Sequence, residues 1–211
     1  MEIEIYADVV CPWCWIGKRR LEQALASYDG TATLRYRPFQ LDPSPVPQPV
    51  PLVEALAAKF GGPDRMEQMV GQVTQVAAGV GLRMDFARAI AANTFDAHRL
   101  IRYADGQGHS AELVEALYQA HFADGVDVGS REALAGIAGS VGLDATAARA
   151  HLDSTAGSTE LAADLAAARE LGVTSVPTFV LAGKYAVTGA QEPQTLLAAL
   201  TEVAQRESAP H

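Results

Sequence analysis

Residues 2–18 read Glu2-Ile3-Glu4-Ile5-Tyr6-Ala7-Asp8-Val9-Val10-Cys11-Pro12-Trp13-Cys14-Trp15-Ile16-Gly17-Lys18, and a change of period inside this stretch decides the fold. Up to Ala7, apolar and polar residues alternate. Ile3 and Ile5 share one face and Glu2 and Glu4 the other, the pattern of a half-buried strand. From Pro12 onward, Cys14, Gly17, Lys18, Leu21 and Leu25 recur at helical spacing. Pro12 suits a first helical position and Gly30 a stop, so the spacing predicts a helix over 12–28. Cys11 and Cys14, the only two cysteines in 211 residues, therefore sit where a strand hands over to a helix.

Working outward, residues 31–37 alternate again, with Ala32, Leu34 and Tyr36 inward, and predict a second strand ending at Pro38. Pro43, Pro45, Pro47, Pro49 and Pro51 then occupy every second position, an extended connector. Residues 52–172 are alanine-rich with helical periodicity, clearest in Met66, Met69, Val70, Val73, Val76, Ala77 and Val80. Further helices are predicted over 94–105, 110–124, 130–141, 145–152 and 160–171, with Ser110 and Ser130 as N-caps and Gly125, Gly142 and Gly172 as stops. Strands return at 178–181 and 185–188 around Ala182-Gly183-Lys184, and a last helix covers 193–205. The order predicts an α/β domain in two pieces, residues 1–45 and 170–211, carrying an all-helical insertion over 46–169.

Composition bounds the function. With 49% hydrophobic and 19% charged residues the chain is globular. Its 25 acidic against 16 basic residues, net −9, supply no basic field for phosphates, which excludes nucleic acid as an expected partner. No apolar run reaches the ~18–20 residues that span a bilayer, so no membrane partner is expected either. Met1 leads directly into the strand pattern without the basic and apolar regions of a secretory signal, which predicts a cytoplasmic protein. In a reducing compartment, a CxxC pair points to catalysis or metal binding rather than to a structural staple.

Cys11 at the head of a helix faces unpaired N–H groups and the positive end of the helix dipole, which favours thiolate. Cys14, one turn further on, lies about 5–5.5 Å away between Cα atoms, within disulfide range. Closing so short a loop contributes only about 2 kcal/mol, so reversible oxidation fits better than a staple. Cys11 is expected to attack, as the more exposed sulfur, and Cys14 to resolve the mixed disulfide. Zinc would need four ligands. There is no second CxxC, and none of His98, His109, His121, His151 and His211 is spaced three to five residues from another, so no metal is expected. An inert pair of core cysteines is disfavoured by Pro12-Trp13, which expose the turn. Val176-Pro177 stands immediately before a predicted strand, where a proline taken alone is ordinarily trans.

The segments 7–18, Pro38-Phe39-Gln40-Leu41-Asp42-Pro43, Ala97-His98-Arg99-Leu100, Val176-Pro177-Thr178-Phe179-Val180 and Thr188-Gly189-Ala190-Gln191, in this order, resemble the DsbA-type thiol:disulfide oxidoreductases. Within them the chain is most similar to the FrnE-like branch. The resemblance implies a thioredoxin fold with a helical insertion, a redox-active Cys11–Cys14 disulfide, no bound cofactor, and a cis Pro177 facing the cysteines. It implies a thiol- or disulfide-containing protein or small molecule as partner, with glutathione or another thiol as possible co-substrate. Val176 would pair its backbone with an extended substrate. Pro12 and Trp13 would border the site, while Asn93 and His98 would line the cleft opposite Cys11. Phe39, Gln40 and Gln191 would frame the groove. Asp8 is a proton-relay candidate for Cys14, and Lys18 reads as a solvated helix lysine or, folded back, a thiolate stabiliser. Trp13 stands where the periplasmic enzymes carry a histidine, which predicts a less oxidising couple, near the middle of roughly −270 to −120 mV. The kappa-class glutathione transferases and 2-hydroxychromene-2-carboxylate isomerases share the architecture but generally place serine at the Cys11 position. A non-catalytic, chaperone-like module is the other alternative, and the chain is expected to be a monomer or homodimer.

Overall fold

β1 (Glu2–Ala7) is one of the two inner strands of a four-stranded sheet in the computed structural model, which describes residues 1–208. The last three positions of the predicted 170–211 segment, His211 among them, lie outside the described residues. The chain leaves β1 through α1 (Pro12–Leu25) and returns as β2 (Thr33–Pro38), parallel to β1. β5 (Thr178–Leu181) lies antiparallel on the other side of β1, and β6 (Tyr185–Thr188) antiparallel on β5, giving the order β2-β1-β5-β6. The two sequence-distant halves thus meet in one sheet, the arrangement that the resemblance implies.

The period-two pattern decides which face each residue takes. Ile3, Ile5, Phe179 and Leu181 are buried against α1 and the terminal α9 (Pro193–Ser208), in a core with Ile16, Leu21, Leu196, Leu200 and Val203. On the opposite face, Tyr6 and Val180 pack with Ala168 of α8 (Ser158–Glu170). At roughly 1.5–3 kcal/mol for each large apolar side chain, this two-sided burial is what holds the halves together.

Between β2 and β5 lie β3 (Val50–Pro51), α2 (Leu52–Phe60), α3 (Pro63–Gly79), β4 (Ile90–Ala91), α4 (Phe95–Asp105), α5 (Ser110–Gln119), α6 (Arg131–Ser140), α7 (Ala145–Asp153) and then α8. Four expectations need correction. The insertion over 46–169 is not helical throughout, because Val50 and Pro51, at the end of the extended proline connector, pair with Ala91 and Ile90 in a two-stranded ribbon. α1 ends at Leu25 with Ala26 still helical, so Gly30 is not its stop. Ser110 caps nothing; its hydroxyl donates to Asp105 Oδ1 at 3.0 Å and His109 occupies the cap position. The helix predicted over 110–124 breaks at Gln119 into a π-helical turn, Ala120–Asp124, closed by Gly125 at φ 70°, where a Cβ would stand 2.6 Å from the Arg88 carbonyl oxygen. Ser130 does cap α6, accepting the Ala133 N–H at 3.4 Å.

Arg99 organises the helical block. It is buried, and its guanidinium donates to Asp96 and to the carbonyls of His151, Leu152, Ser154 and Ala156, at the C-terminal end of α7 and in the loop after it. No helix among the described residues is long and apolar enough to cross a membrane.

Candidate active site

Cys11 has extended backbone angles (φ −95°, ψ 111°) and hands over to Pro12 at the first helical position, so the strand-to-helix turn is built by residue type. Its amide donates to the Asp8 carbonyl and its carbonyl accepts the Cys14 N–H, both at 3.0 Å. Both cysteines are free thiols and both are buried, Cys11 at 4% and Cys14 at 2% exposure, so the expected contrast between an open and a hidden sulfur is slight. Trp13 is the exposed member of the motif, at 37%. The Cys11 sulfur makes no bond to the helix N-terminus. It approaches the Val176 carbonyl oxygen at 3.8 Å instead.

The Val176–Pro177 peptide bond is cis. Pro177 abuts α1 at Gly17, where an added Cβ would lie 2.8 Å from the Pro177 ring, so a glycine is what lets the helix and this loop approach so closely. The loop is tied down by the Gly189 N–H donating to the Pro177 carbonyl at 2.8 Å and the Thr178 hydroxyl donating to the Ser175 carbonyl at 2.8 Å. Cys11, Cys14, Val176 and Pro177 are therefore brought to one place from opposite ends of the chain.

Burial pushes the Cys14 thiol well above its ordinary range. The Cys11 sulfur adds to this by hydrogen bond and charge, and the Asp8 carboxylate by charge, while the Asp8 backbone amide acts in the opposite direction. Cys14 is thus held as a thiol at neutral pH. Tyr118, which stacks on Trp15 at 6.0 Å, is also buried; burial first, then the charges of Cys14 and Cys11, push its phenol well up, so it stays an O–H donor near the pair. Nothing in the helical pattern of 110–124 marked Tyr118.

Asp8 is buried, and both oxygens are engaged: Oδ2 accepts the Leu41 N–H at 2.8 Å, and Oδ1 lies 3.3 Å from His98 Nε2. His98 Nε2 also lies 3.0 Å from the Phe39 carbonyl, which can only accept, so this nitrogen carries the proton. His98 does not line an open cleft; it is buried as a strut between β1, the loop after β2 and α4. Asn93 is also a tie, donating to the carbonyls of Pro43 and Ser44 at 3.0 Å each and accepting from Phe95 N–H, with Gln40 beside it bonding Thr94. Phe39 packs against the cluster of Tyr6, Ala168 and Val173. Gln191 is exposed and donates to the Thr188 carbonyl. Lys18 is not a solvated lysine; it is buried and bonded to Glu22 at 2.6 Å and Glu115 at 2.5 Å. Among the described residues, no group of three or more His, Cys, Asp or Glu is arranged to hold a metal.

Comparison with known proteins agrees with this geometry. The model of the DSBA-like thioredoxin domain family matches residues 2–201. A probable DsbA oxidoreductase from Streptomyces coelicolor superposes with a TM-score of 0.93 at 36% identity, covering 100% of this chain and 92% of that one. The uncharacterized protein YwbO of Bacillus subtilis is 27% identical over 192 residues, 90% of each chain. The cytosolic disulfide reductase DsbM of Pseudomonas aeruginosa, at 21% identity, shares the fold with a TM-score of 0.63 over 99% of this chain and 100% of that one, and its glutathione complex gives 0.61 over 97% and 100%.

Proposed function

Since the chain belongs to the DSBA-like thioredoxin domain family, we propose that it is a thiol:disulfide oxidoreductase that works through Cys11 and Cys14 on thiol- or disulfide-containing proteins or small molecules. The observation that carries the reading is the Cys11 sulfur lying 3.8 Å from the carbonyl of Val176, in the cis-proline loop. A substrate sulfur bonded to Cys11 would extend past that loop, whose backbone can pair with an extended chain.

In the reducing direction the Cys11 thiolate attacks a substrate disulfide, forms the mixed disulfide and expels one substrate thiolate. Cys14 loses its proton and attacks the Cys11 sulfur; the Cys11–Cys14 disulfide forms and the second substrate thiolate leaves. Two electrons have passed to the substrate. Two equivalents of an external thiol return the pair to the dithiol, the first opening the disulfide and the second leaving with it as their own disulfide, and the glutathione complex of DsbM supports glutathione in that role. The reverse sequence oxidises a substrate dithiol. No bound cofactor is required. The uncharged Trp13 supports a couple in the middle of the family's range, and the five sequence segments support the FrnE-like branch. The reading places the protein in the cytoplasm, where its cytosolic DsbM neighbour works. Cys11 in place of serine argues against the glutathione-transferase and isomerase alternative.

The Cys14→Ser variant should accumulate a mixed disulfide with substrate that thiol reagents release. Cys11→Ser should lose insulin reduction altogether. Full insulin reduction by Cys11→Ser would overturn the proposal, and function unchanged with both cysteines as serine would indicate a non-catalytic binding module.

A further inference from the structure

We propose that the recess enclosed by β2, α4, α5 and α8 is a water-filled proton exit, and that the proton Cys14 gives up leaves through the Tyr118 hydroxyl, a recess water and His98 Nδ1. This rests on the disulfide-exchange reading and adds a step to it, the path of the proton when Cys14 attacks.

The recess has a volume of about 60 Å³, room for a few water molecules. Ala7 and Val9, on either side of Asp8, line it together with His98 and Tyr118. Its charged lining faces solvent: Arg37 is paired with Glu4, Arg102 with Asp164, and Asp105 with the Ser110 hydroxyl, so each already has a partner. Tyr36, also in the lining, is kept neutral by burial. His98 and Tyr118 differ from these. They are 4% and 1% exposed, yet among the described residues neither His98 Nδ1 nor the Tyr118 hydroxyl has a hydrogen-bond partner. Nor are they sealed in the core, as both ring nitrogens of His121 are; both side chains line the recess. Since His98 Nε2 carries the proton, Nδ1 is an acceptor, and Tyr118, held as a phenol, is a donor. An unpaired donor and an unpaired acceptor on one small recess are what a bridging water satisfies.

Both groups adjoin the cysteines. Tyr118 stacks on Trp15, the residue after Cys14, and its phenol feels the charge of Cys14 ahead of that of Cys11. His98 Nε2 lies 3.3 Å from Asp8 Oδ1, and the Asp8 amide bonds the Cys14 sulfur. When Cys14 attacks the disulfide between Cys11 and substrate, its proton passes to the Tyr118 oxygen, the Tyr118 proton to the water, and a water proton to His98 Nδ1. The Cys11–Cys14 bond forms and the substrate leaves as a thiolate. Tyr118 is never ionised in this sequence, in keeping with a burial that opposes phenolate. His98 becomes an imidazolium beside the Asp8 carboxylate, whose other oxygen the Leu41 N–H holds, and then releases its proton to solvent through the recess. None of Cys11, Trp13, Val176 and Pro177 lines the recess, so a substrate over the redox turn leaves the exit open.

The test mixes the reduced full chain, in a single turnover, with a cysteine peptide whose sulfur carries thionitrobenzoate. Release of thionitrobenzoate reports attack by Cys11; decay of the peptide–protein mixed disulfide in acid-quenched samples, read by mass, reports attack by Cys14. Tyr118→Phe keeps the ring on Trp15, and His98→Gln keeps an N–H for the Phe39 carbonyl. In both, the second step should slow at least tenfold while the first step and the midpoint potential stay as in the wild type, because a proton path changes a rate and not an equilibrium. In the wild type, the solvent isotope effect on the second step should curve with deuterium fraction, the sign of more than one proton in motion. A smaller fall in either variant, or a linear isotope dependence, overturns the exit while leaving disulfide exchange standing. A shifted potential or an equally slowed first step marks a merely structural role and also overturns it. No thionitrobenzoate release by the wild type overturns the exchange reading itself.

Discussion

His121 sits fully buried in the π-helical turn, and neither of its ring nitrogens has a hydrogen-bond partner. Burial lowers it to about 4, with the Asp8 charge acting weakly the other way. The folded protein therefore holds the ring neutral, while the unfolded chain protonates near 6.5. The corresponding stability is fully present above about 6.5 and is lost as pH falls through about 4, a loss on the order of 3 kcal/mol. His121→Leu should lose about 3 kcal/mol less than the wild type between pH 7 and pH 4 in urea unfolding, and equal losses would contradict the assignment. At this scale, what could be read in the sequence was the chemistry written in local spacing. Cys11 and Cys14 are three apart, and their pairing needs no tertiary knowledge. Asp8 and His98 are 90 residues apart, and the buried contact that joins a proton-relay candidate to a residue expected to line the cleft is one that no local pattern announces. Lys18 was misread for the same reason, since its partner Glu115 lies 97 positions away.

Among the elements, α1 and the cis-proline loop depend on each other through Gly17. A methyl at this position would stand 2.8 Å from Pro177 Cγ and 3.3 Å from Phe179 Cζ, closer than real side chains tolerate. Gly17→Ala improves helix propensity by up to about 1 kcal/mol, yet overpacking costs about 1–3 kcal/mol, and the backbone-backed Pro177 cannot swing aside as a flexible chain would. A net loss of about 1 kcal/mol in urea unfolding should accompany at least a tenfold fall in insulin reduction, because the loop that carries Val176 and Pro177 beside Cys11 is displaced. Greater stability with full activity would show that the loop yields. The strands β5 and β6 match the residues that their alternation marks, because each has four residues and a turn between them. β3 and β4 were not legible, since two residues contain no period. The break at Gln119 was hidden because apolar spacing runs on through the π-helical turn.

For the molecule as a whole, the question is what locks the inserted helices to the sheet. One contiguous core runs from Ile3 and Phe179 through Trp15 to Leu113, Leu117 and Leu134, so unfolding should be one cooperative transition. Its polar counterpart is Glu115 on α5, which accepts from Trp15 Nε1 at 3.0 Å, Lys18 at 2.5 Å and Arg19 at 2.8 Å, all on α1. Burial alone would push the Glu115 carboxyl up. The bonds and charge from Lys18, the Trp15 bond and the Arg19 charge outweigh it, so the group is held below its ordinary value. Its contribution to stability is therefore present above the usual glutamate range and lost as pH falls below it. Removing it leaves Lys18 buried with Glu22 as its remaining bonded partner and the Trp15 N–H without one. Glu115→Ala should cost about 2 kcal/mol, less than breaking a fully buried ion pair, because Glu115 is one-third exposed and Glu22 still receives Lys18. Glu115→Gln keeps an acceptor for Trp15 and should cost less. Urea unfolding followed by tryptophan fluorescence and by far-ultraviolet circular dichroism checks both points. The wild-type curves should coincide, and both should shift to lower urea together in Glu115→Ala. If the fluorescence curve alone moves, the insertion and the sheet unfold as separate units, and the network is a local clasp rather than part of one cooperative core.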